Sequence, residues 1–267
     1  PNPFAFDDWK IIPENPYMVH PEAIRKMFGG NVWSFLGQVG ISNYYRPLMH
    51  LFNWAIFQLF GPQPAWYHLF CLLLHVSASL LVAAAVGRLS GRRALGFLAG
   101  LLFAVHPVHS EVVAWIACSP ELLTTNLSLL TVLLYLASEE ARGFRRVALS
   151  AAMAASLLLA ELSKEIAVML PLVLVCYELL VRRRGPREQV RECWLQYAAL
   201  AAATLAYLVT RWLALGALIP VREQAALAWS DRLWTCLAVF YRLLAVVLWP
   251  VRLNFFRSYR PSHGWQE

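Results

Sequence analysis

The sequence is poor in charge, and poor in lysine above all. Of its 267 residues, 15% are charged and 59% are hydrophobic, and the mean hydropathy is +0.52. These values exclude an ordinary soluble domain. Three lysines stand against twenty arginines, and the arginines occur in short clusters rather than along one stripe. The net charge of +7 therefore does not indicate a nucleic-acid partner, and none is expected.

Metal-ligand spacing and a secretory signal are also missing. The five cysteines form no CxxC pair, and most lie within apolar runs, where cysteine serves as a small hydrophobic residue. The chain begins with Pro1 instead of a methionine. We therefore interpret it as a fragment whose natural start lies upstream.

Long apolar runs are what the sequence has in quantity. The stretches 166–181 and 198–215 are close to the roughly 20 residues that a helix needs to cross a bilayer. The prediction is an all-α polytopic membrane helix bundle with about seven candidate spans. These cover 64–87, 94–106, 120–139, 146–161, 166–182, 194–213 and 232–250.

The arginine clusters orient these spans. They follow alternate spans, as the positive-inside rule describes for cytoplasmic loops. The segments 1–63, 107–119 and 161–165 are then extracytoplasmic. Arg222 and Arg232 blur the pattern near the C-terminus, so the stretch 232–250 is either a span or a re-entrant segment. The clusters consist of Arg88, Arg92 and Arg93, of Arg142, Arg145 and Arg146, and of Arg182, Arg183, Arg184, Arg187 and Arg191.

Three regions are predicted. Residues 1–63 form an extracytoplasmic loop that ends in an interfacial helix, residues 64–250 form the transmembrane bundle, and residues 251–267 begin a following segment. The helix, over 46–62, has an apolar stripe at helical period and a second face with His50, Asn53 and Gln58. Such a helix is expected to lie on the membrane.

Polar residues interrupt the apolar pattern at 101–123. A short apolar helix runs into Pro107, and His106, His109 and Glu111 follow. Ionisable groups at membrane depth indicate function, whereas the plainer alternative is a loop that ends a short helix. Two imidazoles and a carboxylate could also bind zinc or manganese, but the spacing matches no zinc signature. No metal is therefore assigned.

Two further intrusions lie on the same predicted side. In 160–168 the residues Glu161, Lys164 and Glu165 separate two apolar helices, either as a solvated turn with a local ion pair or as a site where the Lys164 ammonium meets an anion. Arg46 precedes the interfacial helix. Its guanidinium either extends to lipid headgroups or grips one specific phosphate.

The adjacent carboxylates of Asp7 and Asp8 lie at the N-terminal end of this predicted extracytoplasmic side, among Phe4, Phe6 and Trp9. They are either ordinary loop charges or a base at the membrane surface. A phosphate-binding set of cations beside a carboxylate base suits transfer from a lipid-phosphate donor to an acceptor hydroxyl. The two side chains point in different directions in any regular backbone, so one base and one orienting group are expected.

Four blocks of the sequence occur in an order that resembles one family. They read FAFDDWKIIPENPYM, YYRPLMHLFNWAIFQLFG…WYHLFCLLLH, LLFAVHPVHSEVVAWI and LSKEIAVMLPLVLVCYEL. The order is similar to that of the transmembrane and tetratricopeptide-repeat-containing protein O-mannosyltransferases and their bacterial relatives, which have the GT-C fold. The similarity covers most of 4–180 and fades after about 215.

The resemblance implies a mechanism. One of Asp7 and Asp8 would take the proton from a Ser or Thr hydroxyl of a protein acceptor. The donor would be a sugar linked to polyprenyl phosphate, mannose in this family. The reaction would invert the configuration at the anomeric carbon of that sugar. Arg46, Lys164, Glu165 and the segment with His106, His109 and Glu111 would line the cavity. A first membrane helix upstream of residue 1, further helices and tetratricopeptide repeats beyond residue 267 are also implied.

The sequence departs from the family pattern at CSPELL, where Pro120 and Glu121 replace an arginine and an acid. That departure is the best support for one alternative, a non-catalytic anchor for the repeats. A second alternative is a lipid-linked-sugar flippase, which would use the same basic and acidic lining without chemistry. The excess of arginine and alanine is typical of a GC-rich bacterial genome. The expected location is thus the bacterial inner membrane, or the endoplasmic reticulum in a eukaryote, with the active site on the extracytoplasmic side.

Overall fold

The regular structure of the chain is helical. The computed structural model describes residues 2–20, 22–37, 42–218, 228–251 and 253, and within them every regular element is a helix, as predicted. Short 3-10 turns link several of the α-helices. The α-helices are α1 (Asp8–Ile11), α2 (Ala23–Met27), α3 (Pro47–Phe60), α4 (Pro64–Ser90), α5 (Arg93–Val105), α6 (Ser110–Ala114), α7 (Ser119–Glu140), α8 (Gly143–Ser163), α9 (Leu170–Leu180), α10 (Pro186–Leu215) and α11 (Trp229–Leu248).

Four helices of the described chain are long and apolar enough to cross a membrane: Pro64–Ser90, Ile116–Glu140, Gly143–Ser163 and Arg187–Leu215. A fifth is added if α5 and the next segment, Pro107–Ala114, count as one broken span. The predicted number of seven is therefore not confirmed. With 11 residues α9 is too short, and α11 carries Asp231, Arg232 and Arg242. The architecture is that of a multi-pass membrane protein.

The chain divides into two units. The first holds the described residues up to Val105 and from Val112 to 218, and the second holds His106–Glu111 together with α11. The predicted segment 251–267 lies almost wholly outside the described residues, as does Arg222.

The first unit contains a core between four helices and one tightly packed helix pair. The core between α7, α8, α9 and α10 contains Tyr135, Met153, Leu157 and Leu200, each at most 1% exposed. In the tightly packed pair, α4 meets α5 so closely that a Cβ on Gly100 would lie 2.7 Å from the Cβ of Ala83. Small residues that allow such close approach are typical of membrane helix pairs.

The N-terminal loop is folded, and α3 supports it. The interfacial-helix interpretation treats His50 and Asn53 as an outward polar face, but both side chains are at most 2% exposed. The loop provides a partner for His50, whose Nε2 donates to the Val32 carbonyl at 3.1 Å. Leu59 is 72% exposed instead. The polar side of α3 thus packs against the loop, because buried polar groups need partners that lipid cannot supply.

Candidate functional site

The two adjacent carboxylates have different surroundings. Asp8 is fully buried, and its Oδ1 accepts a hydrogen bond from the backbone N–H of Ala117 at 2.8 Å. Its Oδ2 accepts from the N–H of Ala5 at 3.0 Å. Asp7 is partly exposed, and its side chain makes no capping hydrogen bond. Of the two, Asp8 is thus held by the backbone, while the Asp7 carboxylate remains available.

The turn that carries the pair is strained. Phe6 has φ of +48°, in the left-handed region that residues with a Cβ rarely occupy, and its ring lies edge-on to Trp115 at 6.1 Å. The Asp8 N–H donates to the Ala5 carbonyl at 3.0 Å, which closes the turn from the other side. Asp8 therefore stabilises the backbone conformation that directs Asp7.

Burial dominates the electrostatics of Asp8, and the net direction of its pKa is upward. Burial raises the pKa of Asp8 above its usual value. The backbone hydrogen bonds from Ala5 and Ala117 and the electrostatic interaction with His68 lower the pKa in part. Ionised Asp8 depends on these neighbours, because burial alone favours the neutral acid.

Arg46 and Glu165 form a bidentate ion pair. Arg46 Nε lies 3.1 Å from Glu165 Oε2, and Nη2 lies 2.9 Å from Oε1. The guanidinium also stacks over the Tyr44 ring at 4.4 Å. Burial raises the pKa of Glu165, but the hydrogen bonds and charge of Arg46 outweigh it and leave the pKa below its usual value. Both side chains are thus fixed in one geometry.

Lys164 does not form an ion pair with its neighbours in the sequence. Its Nζ lies 2.7 Å from Glu121 Oε1 on α7. Glu161 is fully buried and accepts from Thr204 Oγ1 at 2.6 Å. The charged groups of the 160–168 segment thus have partners on other helices or next to α3, and the segment is more than a solvated turn.

Sequence reasoning missed two members of this surface. The sequence singles out Glu121 only as a departure from the family pattern, and it does not single out Arg211 within the apolar run 198–215. Arg211 is only 8% exposed, donates to the Asn43 carbonyl at 2.8 Å and interacts electrostatically with Glu165. An arginine inside an apolar run was the available signal. We call Arg46, Glu121, Lys164, Glu165 and Arg211 the charged cluster; three cations against two carboxylates leave one positive charge.

The structure brings the acidic pair close to the charged cluster. Ala117, whose N–H donates to Asp8, lies in the 3-10 turn Ile116–Cys118, four residues before Glu121 in the first turn of α7. Glu121 binds Lys164, and Arg46 interacts electrostatically with Glu121. Asp8 is thus connected to the charged cluster through the segment that leads into α7.

His106, His109 and Glu111 lie in the second unit. His106 Nδ1 accepts from the Val108 N–H at 3.2 Å, and Nε2 lies 2.9 Å from the Val247 carbonyl on α11. Both ring nitrogens are therefore engaged, which leaves no lone pair for a metal ion. These contacts favour the interpretation of His106 as a cap. The cavity role predicted for the segment stays a prediction.

An apolar groove of about 530 Å³ lies between α3, α4, α7 and α8. Leu48, Ala55, Leu81, Leu123 and Leu159 are among the residues that line it. Its lining begins two residues from Arg46 on α3 and two residues from Glu121 on α7. One end of the groove is therefore next to the charged cluster.

A second polar network lies at the opposite end of α7. Ligand atoms of Glu139, Glu178 and Cys193 lie within 4.8 Å of one another, the one such group found among the described residues. The Arg184 Nη1 lies 2.7 Å from Glu139 Oε1 and 3.1 Å from Glu178 Oε2. Arg182 Nη2 lies 3.1 Å from Glu139 Oε2, so two arginines compensate the two carboxylates, and the group is better explained as a structural ion network.

Comparison with known proteins supports the family resemblance. The chain is 27% identical over 184 residues to a protein O-mannosyl-transferase, F38B6.6, of Caenorhabditis elegans, which is 67% of this chain and 26% of that protein. It is 32% identical over 143 residues to protein O-mannosyl-transferase tmtc2 of Xenopus laevis, 53% of this chain and 17% of that protein. With TMTC1 of Mus musculus, identity is 35% over 136 residues, 49% of this chain and 14% of that protein.

The matches have a defined extent. Each covers about half to two thirds of the chain, but about a quarter or less of the curated relative. No protein-family model and no solved structure matches the chain. Over the matched region, the chain is similar in sequence to proteins named protein O-mannosyl-transferases, with tmtc2 and TMTC1 among them.

Proposed function

We propose that the protein is a membrane glycosyltransferase that moves mannose from a polyprenyl-phosphate donor to a Ser or Thr hydroxyl of a protein. The observation that carries this proposal is the division of roles in the acidic pair. Asp8 is held by two backbone N–H groups, whereas Asp7 is partly exposed. Asp7 is the general base, and Asp8 is the residue that positions it.

The reaction is a single inverting displacement. Asp7 accepts the proton of the acceptor hydroxyl as its oxygen forms the new bond to the anomeric carbon of the sugar. The bond from that carbon to the phosphate oxygen breaks, and its electron pair leaves with the polyprenyl phosphate. The positive surplus of the charged cluster stabilises the phosphate as negative charge develops there.

The apolar groove supports a lipid-linked donor. A polyprenyl chain needs apolar walls beside a cationic site for its phosphate, and the groove ends next to Arg46 and Lys164. Arg46 engages Glu165 through Nε and Nη2, and the further N–H donors of its guanidinium suit phosphate oxygens. The relatives are named protein O-mannosyl-transferases, which supports mannose and a protein acceptor for this chain.

The structure gives little support to a flippase. A flippase requires a polar path across the bundle. In α7 no charged residue lies between Glu121 and Glu139, and in α8 none lies between Arg146 and Glu161. The buried cluster around Met153 and Leu157 fills that region.

The experiment uses the full-length protein and mannose linked to polyprenyl phosphates of several chain lengths. Ala55→Trp fills the groove, and Leu59→Trp adds the same side chain at an exposed position of α3 outside it. We expect Ala55→Trp to raise the KM for long-chain donors by about tenfold and Leu59→Trp to leave it unchanged. Absence of transfer from every lipid-linked donor by a folded protein would overturn the proposal.

A further inference from the structure

A second groove runs between α4 and α5, away from α3, and we call it the α4–α5 groove. Its volume is about 400 Å³, and Ser79, Ala83 and Gly100 line it where the two helices touch. Large side chains stand exposed beside these small ones, with Leu80 67% and Phe97 71% exposed. The α4–α5 groove thus lies on a face of the helix pair that is open to the surrounding lipid.

The surface of this groove is mostly apolar. Two polar side chains line it, and each is engaged with a backbone carbonyl. Ser79 Oγ donates to the His75 carbonyl at 2.8 Å, and His75 Nε2 lies 3.1 Å from the Ala104 carbonyl. Such a surface suits an acyl chain better than a sugar, because the hydroxyl groups of a sugar would lose their hydrogen bonds to water without replacement.

Four exposed arginines lie at one end of this part of the bundle. Arg92 and Arg93 lie in the turn from α4 to α5, and Arg142 and Arg145 flank the start of α8. None of their four guanidinium groups has an ion pair or a hydrogen bond among the described residues. Phe144, between the last two, is 87% exposed, as expected of a side chain that enters the membrane interface.

The nearby carboxylates do not neutralise these arginines. Glu140 pairs with Arg88 at 2.8 Å, and this contact shows that the turn after α4 and the turn after α7 are neighbours. Glu139 pairs instead with Arg182 and Arg184. A local surplus of positive charge therefore remains around the two turns.

The α4–α5 groove begins next to this surplus charge. The first residue of α5 that lines it is Phe97, four residues after Arg93, a rise of roughly 6 Å. The lining continues along α5 to Ala104, roughly 10 Å further from the turn. An apolar groove that starts one helical turn from uncompensated cations matches the layout of a phospholipid, with its phosphate at one end and its acyl chains at the other.

We propose that the α4–α5 groove and the turn at Arg92 and Arg93 form a binding site for an anionic phospholipid of the bilayer. The two guanidinium groups contact the phosphate, and one acyl chain lies in the groove. Arg142 and Arg145 add attraction for the negative headgroup. The predicted orientation places these arginines on the cytoplasmic side, where anionic lipids give the membrane surface a negative potential.

This lipid site is separate from the proposed donor site. Glu121, a member of the charged cluster, lies in the first turn of α7, whereas Glu140 lies in its last turn, next to the arginines. The two sites are thus at opposite ends of α7, and the inference does not depend on the proposed function.

The first test compares two lipids on the full-length protein in detergent. Native mass spectrometry measures the binding of dioleoyl phosphatidylglycerol and of dioleoyl phosphatidylcholine, which have the same acyl chains and differ in net charge. We expect one phosphatidylglycerol to bind about tenfold more tightly than phosphatidylcholine. Equal affinities, or a dimer of the chain that forms in place of lipid binding, overturn the proposal.

Arginine variants locate the headgroup. Arg92→Gln together with Arg93→Gln removes two charges beside the groove, and Arg183→Gln together with Arg187→Gln removes two exposed charges on the same predicted side, near the start of α10. We expect the first pair to lower the affinity for phosphatidylglycerol about tenfold and the second pair to change it less than twofold. Equal losses would indicate attraction to net charge alone and would overturn the site.

Tryptophan variants locate the acyl chain. Val76→Trp adds bulk within the α4–α5 groove, and Leu98→Trp adds the same side chain at an exposed position of α5 outside it. We expect Val76→Trp to weaken the binding of phosphatidylglycerol about fivefold and Leu98→Trp to leave it unchanged. Unchanged binding in Val76→Trp overturns the placement of the chain. If Val76→Trp does not fold, the comparison of the two lipids on the wild type still decides the proposal.

Discussion

The carboxylate of Asp8 accepts a hydrogen bond from the backbone N–H of Ala117, 109 residues later, at 2.8 Å. This contact ties the N-terminal loop to the turn that begins α7. It also explains why an apolar protein carries two adjacent aspartates: one is a buried anchor and the other stands partly exposed beside it. The account of the site depends on this division.

Stability should therefore separate the two aspartates. Asp8→Ala leaves two backbone N–H groups without their acceptor, and we expect it to lower the free energy of unfolding by about 2 kcal/mol. Asp7→Ala removes no hydrogen bond and should change it by less than about 0.5 kcal/mol. Titration with SDS, followed by tryptophan fluorescence, measures both. Equal losses for the two variants would contradict the assignment of Asp8 as the anchor.

The ion pair of Arg46 and Glu165 should show measurable coupling. The two hydrogen bonds at 2.9 and 3.1 Å and the limited exposure of both side chains favour a coupling free energy of about 1–2 kcal/mol. A double-mutant cycle with Arg46→Gln and Glu165→Gln measures it. Additive effects of the two substitutions would show that the pair contributes nothing.

The same pair sets a pH dependence. Because Arg46 holds the pKa of Glu165 below its usual value, the stabilisation is complete above the unfolded pKa of about 4.5 and is lost as the pH falls through the lower folded value. Unfolding measured between pH 6 and pH 3 should therefore show a smaller acid loss of stability in Arg46→Gln than in the wild type. An equal loss of stability at acid pH in both proteins would contradict this prediction.

Neutralising Glu121 should strengthen donor binding. Glu121→Gln frees Lys164 from its 2.7 Å ion pair and raises the net charge of the charged cluster from +1 to +2. A more positive site attracts the donor phosphate, and we expect the KM for the donor to fall roughly threefold at low salt. Glu140→Gln, at the other end of α7, is the control. A donor KM that rises in Glu121→Gln would contradict the account.

His50 predicts a separate pH dependence of stability. Burial lowers the pKa of His50 to about 4, whereas the unfolded value is near 6.5. Its neutral form is favoured in the folded state, so stability is complete above about pH 6.5 and falls, by up to about 3 kcal/mol, as the pH drops towards 4. His50→Gln should remove this slope, and His20→Gln should retain it. The check is the unfolding midpoint at several pH values.

The sequence predicted the helical class because hydrophobic length and arginine clustering are local signals. The apolar runs that became α4, α7, α8 and α10 were recognised for that reason. The number of spans was not predicted well, since α9 stops after 11 residues and α11 contains three charges. A prediction based on composition does not resolve where a helix ends inside an apolar run.

Site residues were predicted singly, but their partners were not. The sequence drew attention to Asp8, Arg46 and Lys164 because charge is rare in an apolar chain. It gave no sign that Asp8 binds Ala117 or that Lys164 binds Glu121, because those contacts join segments 109 and 43 residues apart. The burial of Asn53 was missed for a related reason. A polar helix face predicts exposure to water, but here the folded N-terminal loop covers that face.

The most direct measurement is transfer of radiolabelled mannose from a polyprenyl-phosphate donor to a Ser- or Thr-containing acceptor by full-length protein. Three matched variants, Asp7→Asn, Asp8→Asn and Asp231→Asn, change the three aspartates of the chain one at a time. The account predicts that Asp7→Asn lowers kcat by about a hundredfold or more without loss of stability. Asp8→Asn lowers kcat and stability together, and Asp231→Asn has the wild-type rate. A wild-type rate in Asp7→Asn would contradict the account.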